Sequence, residues 1–356
     1  MFQGRTLHEL LRYAVSNRAS DLHLAEGTPP SIRVDNNLSL ISDVPFTHQE
    51  MMAVLRQHLS EERIREFQEQ KELDYSFGIE GLGRFRANLF YQRSHVACAI
   101  RDLPSDPMSF EAIGFPRRTA EGILEAPSGL VLVTGPTGSG KTTTLATMID
   151  AINETQACHI VTIEDPIEFL FKNKKSVIHQ REVGSDTATF HNALKHVLRQ
   201  DPDVILIGEM RDLETIEIAL TVAETGHLVF ATLHTPDAAQ SINRIIDVFP
   251  AHQQQQVRVQ LSFVLQAVIS QQLIEKIGGG RTLASEILIA TPAVRNLIRE
   301  SKSHQIYSAI QTGQKEGMRT LNMGLAELVK TGKIAREAAL SRSSDTQELE
   351  RLLTTR

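Results

Sequence analysis

A glycine-rich segment at residues 135–142 has the residue types and spacing of a phosphate-binding loop, G-x-x-x-x-G-K-T. Its glycines let backbone N–H groups turn inward around a phosphate, and the helix that follows adds its positive dipole end. Lys141 would reach the β- and γ-phosphates of a nucleotide, and the Thr142 hydroxyl would bind Mg²⁺. A glycine turn can meet this pattern by chance, but here an apolar strand pattern precedes the loop and a helical pattern follows it. The predicted nucleotide-binding residues are Gly135, Pro136, Thr137, Gly138, Ser139, Gly140, Lys141, Thr142 and Thr143.

Two other apolar segments end in acidic residues. Glu209 ends the segment 203–209, where a carboxylate can hold Mg²⁺ directly or through water. Glu164 ends the segment 159–164, and a carboxylate near the γ-phosphate could orient or deprotonate the attacking water. The alternatives are a surface glutamate at a strand end and a solvated acidic loop. Glu209 and Glu164 both lie at strand ends in a chain that also has a phosphate loop, and this favours a functional role for each.

Two histidines flank the apolar segment HLVFATLH. His234, at its carboxyl end, is predicted to sense the γ-phosphate through a hydrogen bond. His227, at its amino end, would lie farther from the phosphates on strand geometry alone. The alternative for each is a structural hydrogen bond without a catalytic role.

Arginines are concentrated near the end of the N-terminal part of the chain. Arg84 and Arg86 alternate along a predicted strand, so both side chains lie on one face. Arg101 follows in the same region. The group is either a solvated sheet face or a set of arginine fingers that reach a nucleotide on a neighbouring subunit.

The second half of the chain has the pattern of a sheet that could bring these residues together. Short apolar segments with polar C-terminal ends alternate with helix signals, such as the N-cap Asp212. This pattern indicates a parallel sheet covered by helices on both faces. Ligands bind outside the carboxyl ends of such strands. The predicted strands are 129–134, 159–164, 203–209 and 227–234, and beyond about Pro250 the chain is predicted to be mainly helical.

The first hundred residues have a different, mixed pattern. Residues 7–15 have helical spacing, and Thr47 with Glu50 forms a capping box that opens a second helix. Apolar alternation over residues 74–100, punctuated by glycines, predicts antiparallel strands. Two prolines within four residues then predict a linker at residues 103–109.

Composition excludes several classes of protein. With 356 residues, 41% of them hydrophobic, the chain is long enough for two domains with real cores. With a net charge of -6, the chain lacks the overall positive field of a dedicated nucleic-acid binder. The net charge does not exclude a local basic channel. Cys98 and Cys158 are too few for a four-thiolate zinc site or a disulfide framework. Because polar residues interrupt the longest uncharged stretch, 259–274, we expect a soluble protein without a transmembrane segment.

Four further motifs complete a pattern that resembles the secretion ATPase superfamily of type II/IV secretion and pilus motors. The sequence ASDLHL at 19–24 is similar to the opening signature of the family, and IEDPIE at 163–168 resembles its Asp box. Residues 198–212 resemble its Walker B region, and residues 226–235 resemble its His box. The resemblance extends over essentially all 356 residues, and the motifs together are far more specific than the phosphate loop alone.

This resemblance implies an α/β fold with two domains. An N-terminal PAS-like α+β domain at residues 1–102 would precede a RecA-like P-loop ATPase domain at 110–356, with a helical C-terminal region from about residue 291. The resemblance also implies a hexameric ring that binds ATP and Mg²⁺ between domains and subunits.

The resemblance also implies roles for individual residues. Glu164 would be the catalytic base, and Glu209 the Walker B acid that holds Mg²⁺ together with Thr142. His227 and His234 match the His box. This match favours a functional role for His227, which strand geometry alone does not. Arg84, Arg86 and Arg101 match arginines that approach the ATP phosphates.

Within the superfamily the sequence closely resembles motors that power type IV pilus retraction, the pilin disassembly behind twitching motility. Motors that extend pili or drive type II secretion generally carry an extra N-terminal region and a tetracysteine zinc motif, whereas this sequence has no C-x-x-C. AVRNLIRE at 293–300 resembles the C-terminal motif of retraction motors. The alternatives are an accessory retraction motor, a RecA-like nucleic-acid translocase and a nucleotide-binding regulator without turnover.

The resemblance implies partners and a location as well. A homohexamer would act on the cytoplasmic part of an inner-membrane pilus platform protein, with or without an accessory retraction ATPase, and without nucleic acid. Its expected place is the cytoplasm, peripheral to the inner membrane at the pilus base.

Overall fold

The computed structural model describes residues 5–34, 37–103 and 106–354, and the chain forms two compact units. The first unit contains Met1–Asp106 and the short segment Pro166–Leu170, and the second contains Pro107–Asp165 and Phe171–Arg356. The chain therefore passes between units at three points. Within the predicted linker, Pro104 and Ser105 lie outside the described residues.

The first unit is built on one antiparallel sheet. Its elements are α1 (Leu7–Ser16), β1 (Asp21–Ala25), β2 (Thr28–Val34), β3 (Asn37–Leu40), α2 (His48–Arg56), α3 (Glu61–Gln70), β4 (Glu72–Ile79), β5 (Gly83–Gln92) and β6 (His95–Leu103). The strand order is β3-β2-β1-β6-β5-β4. The predicted capping box of Thr47 and Glu50 opens α2. The three helices pack against the sheet in one hydrophobic core, to which they contribute Leu10, Leu55 and Phe67.

The second unit is built on a seven-stranded sheet with the order β13-β12-β7-β11-β10-β8-β9. Its strands are β7 (Gly129–Thr134), β8 (His159–Glu164), β9 (Val177–Glu182), β10 (Val204–Ile207), β11 (Leu228–Leu233), β12 (Leu265–Glu275) and β13 (Arg281–Ile289). Only β13 pairs antiparallel with its neighbour among these described strands. The helices are α4 (Phe110–Ile113), α5 (Arg117–Leu124), α6 (Lys141–Thr155), α7 (Phe190–Val197), α8 (Leu213–Glu224), α9 (Ala238–Asp247), α10 (Gln254–Val264), α11 (Pro292–Arg299), α12 (Ile306–Thr312), α13 (Leu321–Lys330), α14 (Arg336–Arg342) and α15 (Thr346–Thr354).

Alternate residues of β7 belong to two hydrophobic cores, one on each face of the sheet. Leu130 and Leu132 pack in the core that α8, α9 and α10 cover. Val131 and Val133 pack in the core that α5 and α6 cover. Every residue of β7 is buried, which explains its uninterrupted apolar sequence. The predicted cover of helices on both faces is confirmed.

The prediction that the chain is mainly helical beyond Pro250 is wrong for residues 265–289. This region forms the antiparallel pair β12 and β13, and β12 lies parallel beside β7. Its polar side chains find partners far away in the sequence, because Gln266 donates to Ser128 O at 2.7 Å and Ser270 Oγ lies 2.8 Å from Thr134 Oγ1. Such pairing lets polar side chains lie inside a central strand.

Helices do follow this strand pair, from α11 onward. Thr291 caps α11 by accepting a hydrogen bond from the Val294 N–H, with Pro292 in the first turn, as predicted. Strand β9 was not predicted. In the described part of the chain, no helix has the length and apolar character needed to cross a bilayer.

Candidate active site

The phosphate loop connects the end of β7 to the start of α6. Gly135, Gly138 and Gly140 have φ angles of 138°, 77° and 87°, which L side chains rarely adopt. A Cβ on Gly135 would lie 2.3 Å from the backbone oxygen of Gln271, so no larger residue fits there. Gly140 is the N-cap of α6, and no side chain among the described residues caps this helix end. The first N–H groups of α6 are therefore available to a phosphate.

Lys141, the first residue of α6, keeps its ammonium group at the loop. Nζ donates to the carbonyl oxygens of Gly135 at 2.9 Å and Pro136 at 3.1 Å. It also lies 3.4 Å from Nδ1 of His234, just beyond the end of β11. His234 is thus beside the phosphate loop.

Glu209 follows β10 and is held between a histidine and an arginine. Its Oε1 lies 3.0 Å from His234 Nε2, and its Oε2 accepts a hydrogen bond of 2.9 Å from Arg211 Nη2. Partial burial alone would raise the pKa of Glu209, but Arg211 and His234 hold that pKa below its usual value. The carboxylate is therefore ionised at neutral pH.

Three neighbouring strands bring these side chains to one place, which we call the edge cluster (Lys141, His234, Glu209 and Arg211). Strands β7, β11 and β10 are adjacent and parallel, so their carboxyl ends meet at one edge of the sheet. Ligands of open parallel sheets bind at this edge. The edge cluster can therefore present a cation, an anion and hydrogen-bonding groups to a phosphate chain.

Glu164 ends β8, which pairs with β10. Its side chain is 6% exposed, and its Oε1 accepts hydrogen bonds from Thr162 Oγ1 at 2.6 Å and Gln180 Nε2 at 3.3 Å. A Cβ on Gly208 would lie 3.4 Å from the Glu164 Cα, so glycine lets the chain just after β10 lie close to the Glu164 backbone. Glu164 is a buried, fixed acid at the same sheet edge as the edge cluster.

His227 lies away from this edge. It precedes β11, and its Nδ1 lies 3.1 Å from both Val222 O and Thr225 Oγ1. His234 is at the other end of the same strand, about 20 Å away at the usual rise per residue. Within one chain, the structure does not bring His227 to the phosphate loop.

The three predicted arginines lie in the first unit, on one face of its sheet. Arg86 and Arg101 are directly opposite each other on β5 and β6. Arg101 Nε donates to Asp21 Oδ1 at 2.9 Å, and Arg86 Nη2 lies 3.9 Å from Asp74 Oδ1. Arg84 donates to Ser76 Oγ at 2.6 Å. Facing like charges are unfavourable in a sheet, and these carboxylates offset part of that cost.

Thr142 and Glu209, the predicted magnesium ligands, offer the oxygen atoms that this hard cation prefers. Thr142 is the second residue of α6, next to Lys141. Among the described residues, no group of three or more His, Cys, Asp or Glu side chains could hold a metal ion. Mg²⁺ bound to a nucleotide takes several of its ligands from phosphates and water, so it needs only one or two such oxygen donors from the protein.

A family model described as type II/IV secretion system protein matches residues 3–279 of the 356-residue chain. The chain belongs to this family. The resemblance deduced from the sequence motifs is therefore confirmed.

Members of the family that resemble the chain include pilus ATPases. The type IV pilus retraction ATPase PilT of Pseudomonas aeruginosa is 53% identical over 331 residues, covering 93% of this chain and 96% of PilT. The type IV pilus ATPase PilU of the same species is 37% identical over 342 residues, covering 96% of this chain and 89% of PilU. A crystal structure of the pilus retraction motor PilT with bound ADP matches with a TM-score of 0.90 and 50% identity, over 97% of this chain and 99% of that one. This match confirms the predicted α/β fold class of secretion ATPases.

Sequence reasoning missed several residues that contact predicted site residues, among them Arg211, Gln180 and Gln271. Arg211 lies inside the Walker B motif at 198–212, but the motif pattern alone predicts no role for it. Gln180 lies on β9, which was not predicted, and Gln271 lies on β12, which was read as helix. No local signal identified Gln271, because the apolar run at residues 267–269 is shorter than the run of about four to eight residues that indicates a buried strand.

Proposed function

We propose that this chain is an ATP-hydrolysing motor that powers the retraction of type IV pili. The observation that carries the proposal is the edge cluster, in which Lys141 of the phosphate loop contacts His234 and His234 contacts Glu209. The 53% identity to a pilus retraction ATPase and the likeness to a retraction motor with bound ADP support the same activity.

Nucleotide binding would begin at the phosphate loop. The N–H groups of the loop and of the α6 N-terminus hold the β-phosphate. Lys141 exchanges the carbonyl oxygens of Gly135 and Pro136 for phosphate oxygens, because an ammonium group binds an anion more strongly than a neutral acceptor. When bound, Mg²⁺ supplies positive charge that offsets the phosphate charge, and Thr142 and Glu209 are the residues that would hold it.

Glu164 would act on the attacking water. A carboxylate that accepts the water proton makes the oxygen a better nucleophile toward the γ-phosphate. The hydrogen bonds from Thr162 and Gln180 support this role, since they fix the orientation of the carboxylate. His234 would report the state of the γ-phosphate to Glu209, to which it is hydrogen-bonded.

We further propose that six chains assemble into a ring. The first unit would be the PAS-like domain predicted at 1–102, and the second the RecA-like domain predicted at 110–356. The facing arginines Arg86 and Arg101 support a role in binding phosphate, because an anion between them would relieve their repulsion. Arg84 would act with them, and His227 would contribute from a position that only assembly brings to a nucleotide.

The ring would work in the cytoplasm at the inner membrane, on the cytoplasmic part of a pilus platform protein. An accessory retraction ATPase would be a further partner. The chain is more similar to PilT, at 53% identity, than to PilU, at 37%. This difference favours a main retraction motor over an accessory one.

The test is a gene deletion in the source organism, complemented with wild-type chain, Lys141→Ala or the control Lys195→Ala. Lys195 is an exposed lysine on α7, so its loss should change nothing. Labelled pilin lets surface pili be counted and their shortening followed in live cells. We expect abundant pili that never shorten with Lys141→Ala, and normal retraction with Lys195→Ala.

Other outcomes would contradict the proposal. Bald deletion cells would indicate an extension motor. Pili that still retract would indicate an accessory motor or a different machine. In a parallel assay of the purified chain, Lys141→Ala should abolish ATP hydrolysis, because it removes the charge that binds the β- and γ-phosphates.

A further inference from the structure

We infer that Gln271 on β12 is a positioning residue that holds the phosphate loop in its nucleotide-binding conformation. The inference rests on the proposed nucleotide site and adds to it a residue outside every family motif identified in the sequence. Gln271 contacts the loop rather than the reacting atoms, so its effect would pass through the loop backbone.

The first observation is the contact itself. Ser270 pairs in register with Thr134 at the end of β7, so Gln271 lies level with the start of the loop. Its side chain is 1% exposed, and Nε2 donates a hydrogen bond of 2.8 Å to the carbonyl oxygen of Ser139. This bond joins β12 to the loop one residue before the N-cap of α6.

The second observation is the fit of two loop glycines against the same residue. A Cβ on Gly135 would meet the Gln271 backbone oxygen at 2.3 Å, and a Cβ on Gly140 would meet Gln271 Nε2 at 3.4 Å. The two ends of the loop are therefore packed against the backbone and the side chain of one residue. The requirement for glycine at Gly135 thus reflects the position of β12 as well as the turn of the loop.

The third observation concerns two buried oxygen atoms at this contact. In the described part of the chain, Gln271 Oε1 and Ser139 Oγ are buried without a hydrogen-bond partner. An unpaired buried oxygen costs free energy, and a methionine would fill a similar volume without that oxygen. Packing alone therefore does not account for glutamine here. The orientation of its amide is set by the donor that faces Ser139 O, because the opposite orientation would place two oxygens together.

Loss of the bond should weaken nucleotide binding more than it slows turnover. Without Nε2 the Ser139 carbonyl is no longer held, so the free loop samples more conformations that ADP must restrict when it binds. We expect ADP affinity to fall about tenfold in Gln271→Met, the loss of one amide–carbonyl hydrogen bond. At saturating ATP, kcat should stay close to the wild-type value, because the bound nucleotide orders the loop.

The decisive variant is Gln271→Glu, measured by calorimetric titration with ADP from about pH 6 to about pH 8.5. Burial raises the pKa of such a carboxyl group, so its neutral form is present at the lower pH and can donate to Ser139 O. The ionised form cannot donate, and it repels both that carbonyl and the phosphates. ADP affinity of this variant should approach the wild-type value at low pH and fall as pH rises.

The matched control is Gln272→Glu, the same change one residue along, where the side chain points to the other face of the sheet. Its ADP affinity should follow that of the wild type at every pH. Ionisation of a buried carboxyl group also lowers the stability of the fold as pH rises. Circular dichroism of Gln271→Glu must therefore show a folded chain at each pH, so that a fall in ADP affinity reports the loop and not unfolding.

Three results would count against the inference. ADP binding by Gln271→Met within about twofold of the wild type would show that the bond does not position the loop. A Gln271→Glu variant equally weak at all pH values would assign Gln271 to packing instead. Failure of the wild-type chain to bind ADP would contradict the proposed function itself, and the inference with it.

Discussion

At the scale of single residues, Glu286 on β13 is a buried carboxylate whose ionisation opposes folding. It is 5% exposed and accepts a hydrogen bond of 2.9 Å from the Ala238 N–H, at the start of α9. Burial raises the pKa of Glu286 to about 7, against the lowering effect of the Ala238 bond, and the charges of Asp237 and Glu348 add to the rise. Near neutral pH this residue therefore gains or loses a proton in the folded chain.

Replacing Glu286 by Gln should stabilise the chain at alkaline pH. Between pH 4.5, the ordinary value, and about pH 7, the unfolded chain releases a proton that the folded chain retains, so stability falls as pH rises. Glutamine keeps the acceptor oxygen and removes this titration. We expect Glu286→Gln to be about 1–3 kcal/mol more stable than the wild type at pH 8.

Urea unfolding at a series of pH values measures this difference. The gain should shrink as pH falls through the window and be absent at about pH 4. Glu316→Gln, at an exposed site, is the control and should show no pH-dependent difference. An equal gain for Glu286→Gln at pH 4 and pH 8 would exclude titration as its cause.

The sequence predicted the residues of the edge cluster better than their mutual contacts. Lys141 begins α6, and Glu209 and His234 follow β10 and β11 at the carboxyl edge of the sheet, so pattern and topology together bring them close. The contact of Arg211 with Glu209 depends on the direction in which the Arg211 side chain points after β10, and the sequence does not determine that direction. Gln180 and Gln271 depend on the order of strands in the sheet, which local patterns do not contain.

At the scale of elements, the strands β12 and β13 are connected to the C-terminal helices by Arg319. Its Nε donates to Ser285 O at 3.2 Å, and its Nη2 donates to Ser285 Oγ at 2.6 Å. Its backbone pairs with Ile287 on the same strand, β13. A guanidinium fork makes two bonds that a single ammonium group cannot reproduce with the same geometry.

The variant Arg319→Lys should therefore lower the thermal unfolding temperature. Loss of one buried hydrogen bond to Ser285 should shift Tm down by about 2–4 °C in a unit of this size. Differential scanning calorimetry measures this shift in Tm. Arg117→Lys is the control, because the ion pairs of Arg117 with Glu111 and Glu121 are exposed, and it should change Tm by less than about 1 °C. Equal shifts in the two variants would contradict a special role for Arg319.

The central strands were predictable and the β12–β13 pair was not, for a physical reason. Strands β7, β8, β10 and β11 are buried on both faces, so their apolar runs alone identify them. Strand β12 is buried too, but it carries Gln266, Ser270 and Gln271 in its interior. Their partners lie more than a hundred residues earlier, at Ser128, Thr134 and Ser139. A window of neighbouring residues contains no trace of such pairing.

At the scale of the whole molecule, the chain connects its two units more than once. The sequence predicted one linker, at 103–109, but Pro166–Leu170 also belongs to the first unit. This segment overlaps the end of the IEDPIE motif at 163–168, where no change of composition marks a boundary. Arg84 Nε donates to the Ile167 carbonyl oxygen at 3.1 Å within that unit.

Cutting the linker should therefore not release the first unit. If a protease site is introduced at positions 104–105 and cleaved, fragment 1–103 should remain with the rest of the chain, because residues 166–170 complete its fold. Size-exclusion chromatography followed by denaturing electrophoresis shows whether the fragments elute together.

A second cleaved variant, with residues 166–170 replaced by glycine and serine, is the control and should separate into two fragments. Separation of the first cleaved chain in the same way would contradict this prediction. Co-elution of both cleaved chains would show that other contacts keep the fragments together.

The same segment has a consequence for the order of events during synthesis. Residues 1–106 leave the ribosome before residues 166–170 exist, and at ordinary elongation rates the gap is about 3 to 13 s. During that interval the first unit lacks five of its residues, including Ile167, whose carbonyl oxygen accepts the Arg84 Nε hydrogen bond. A chain that stalls or ends before residue 166 would thus carry an unfinished first unit.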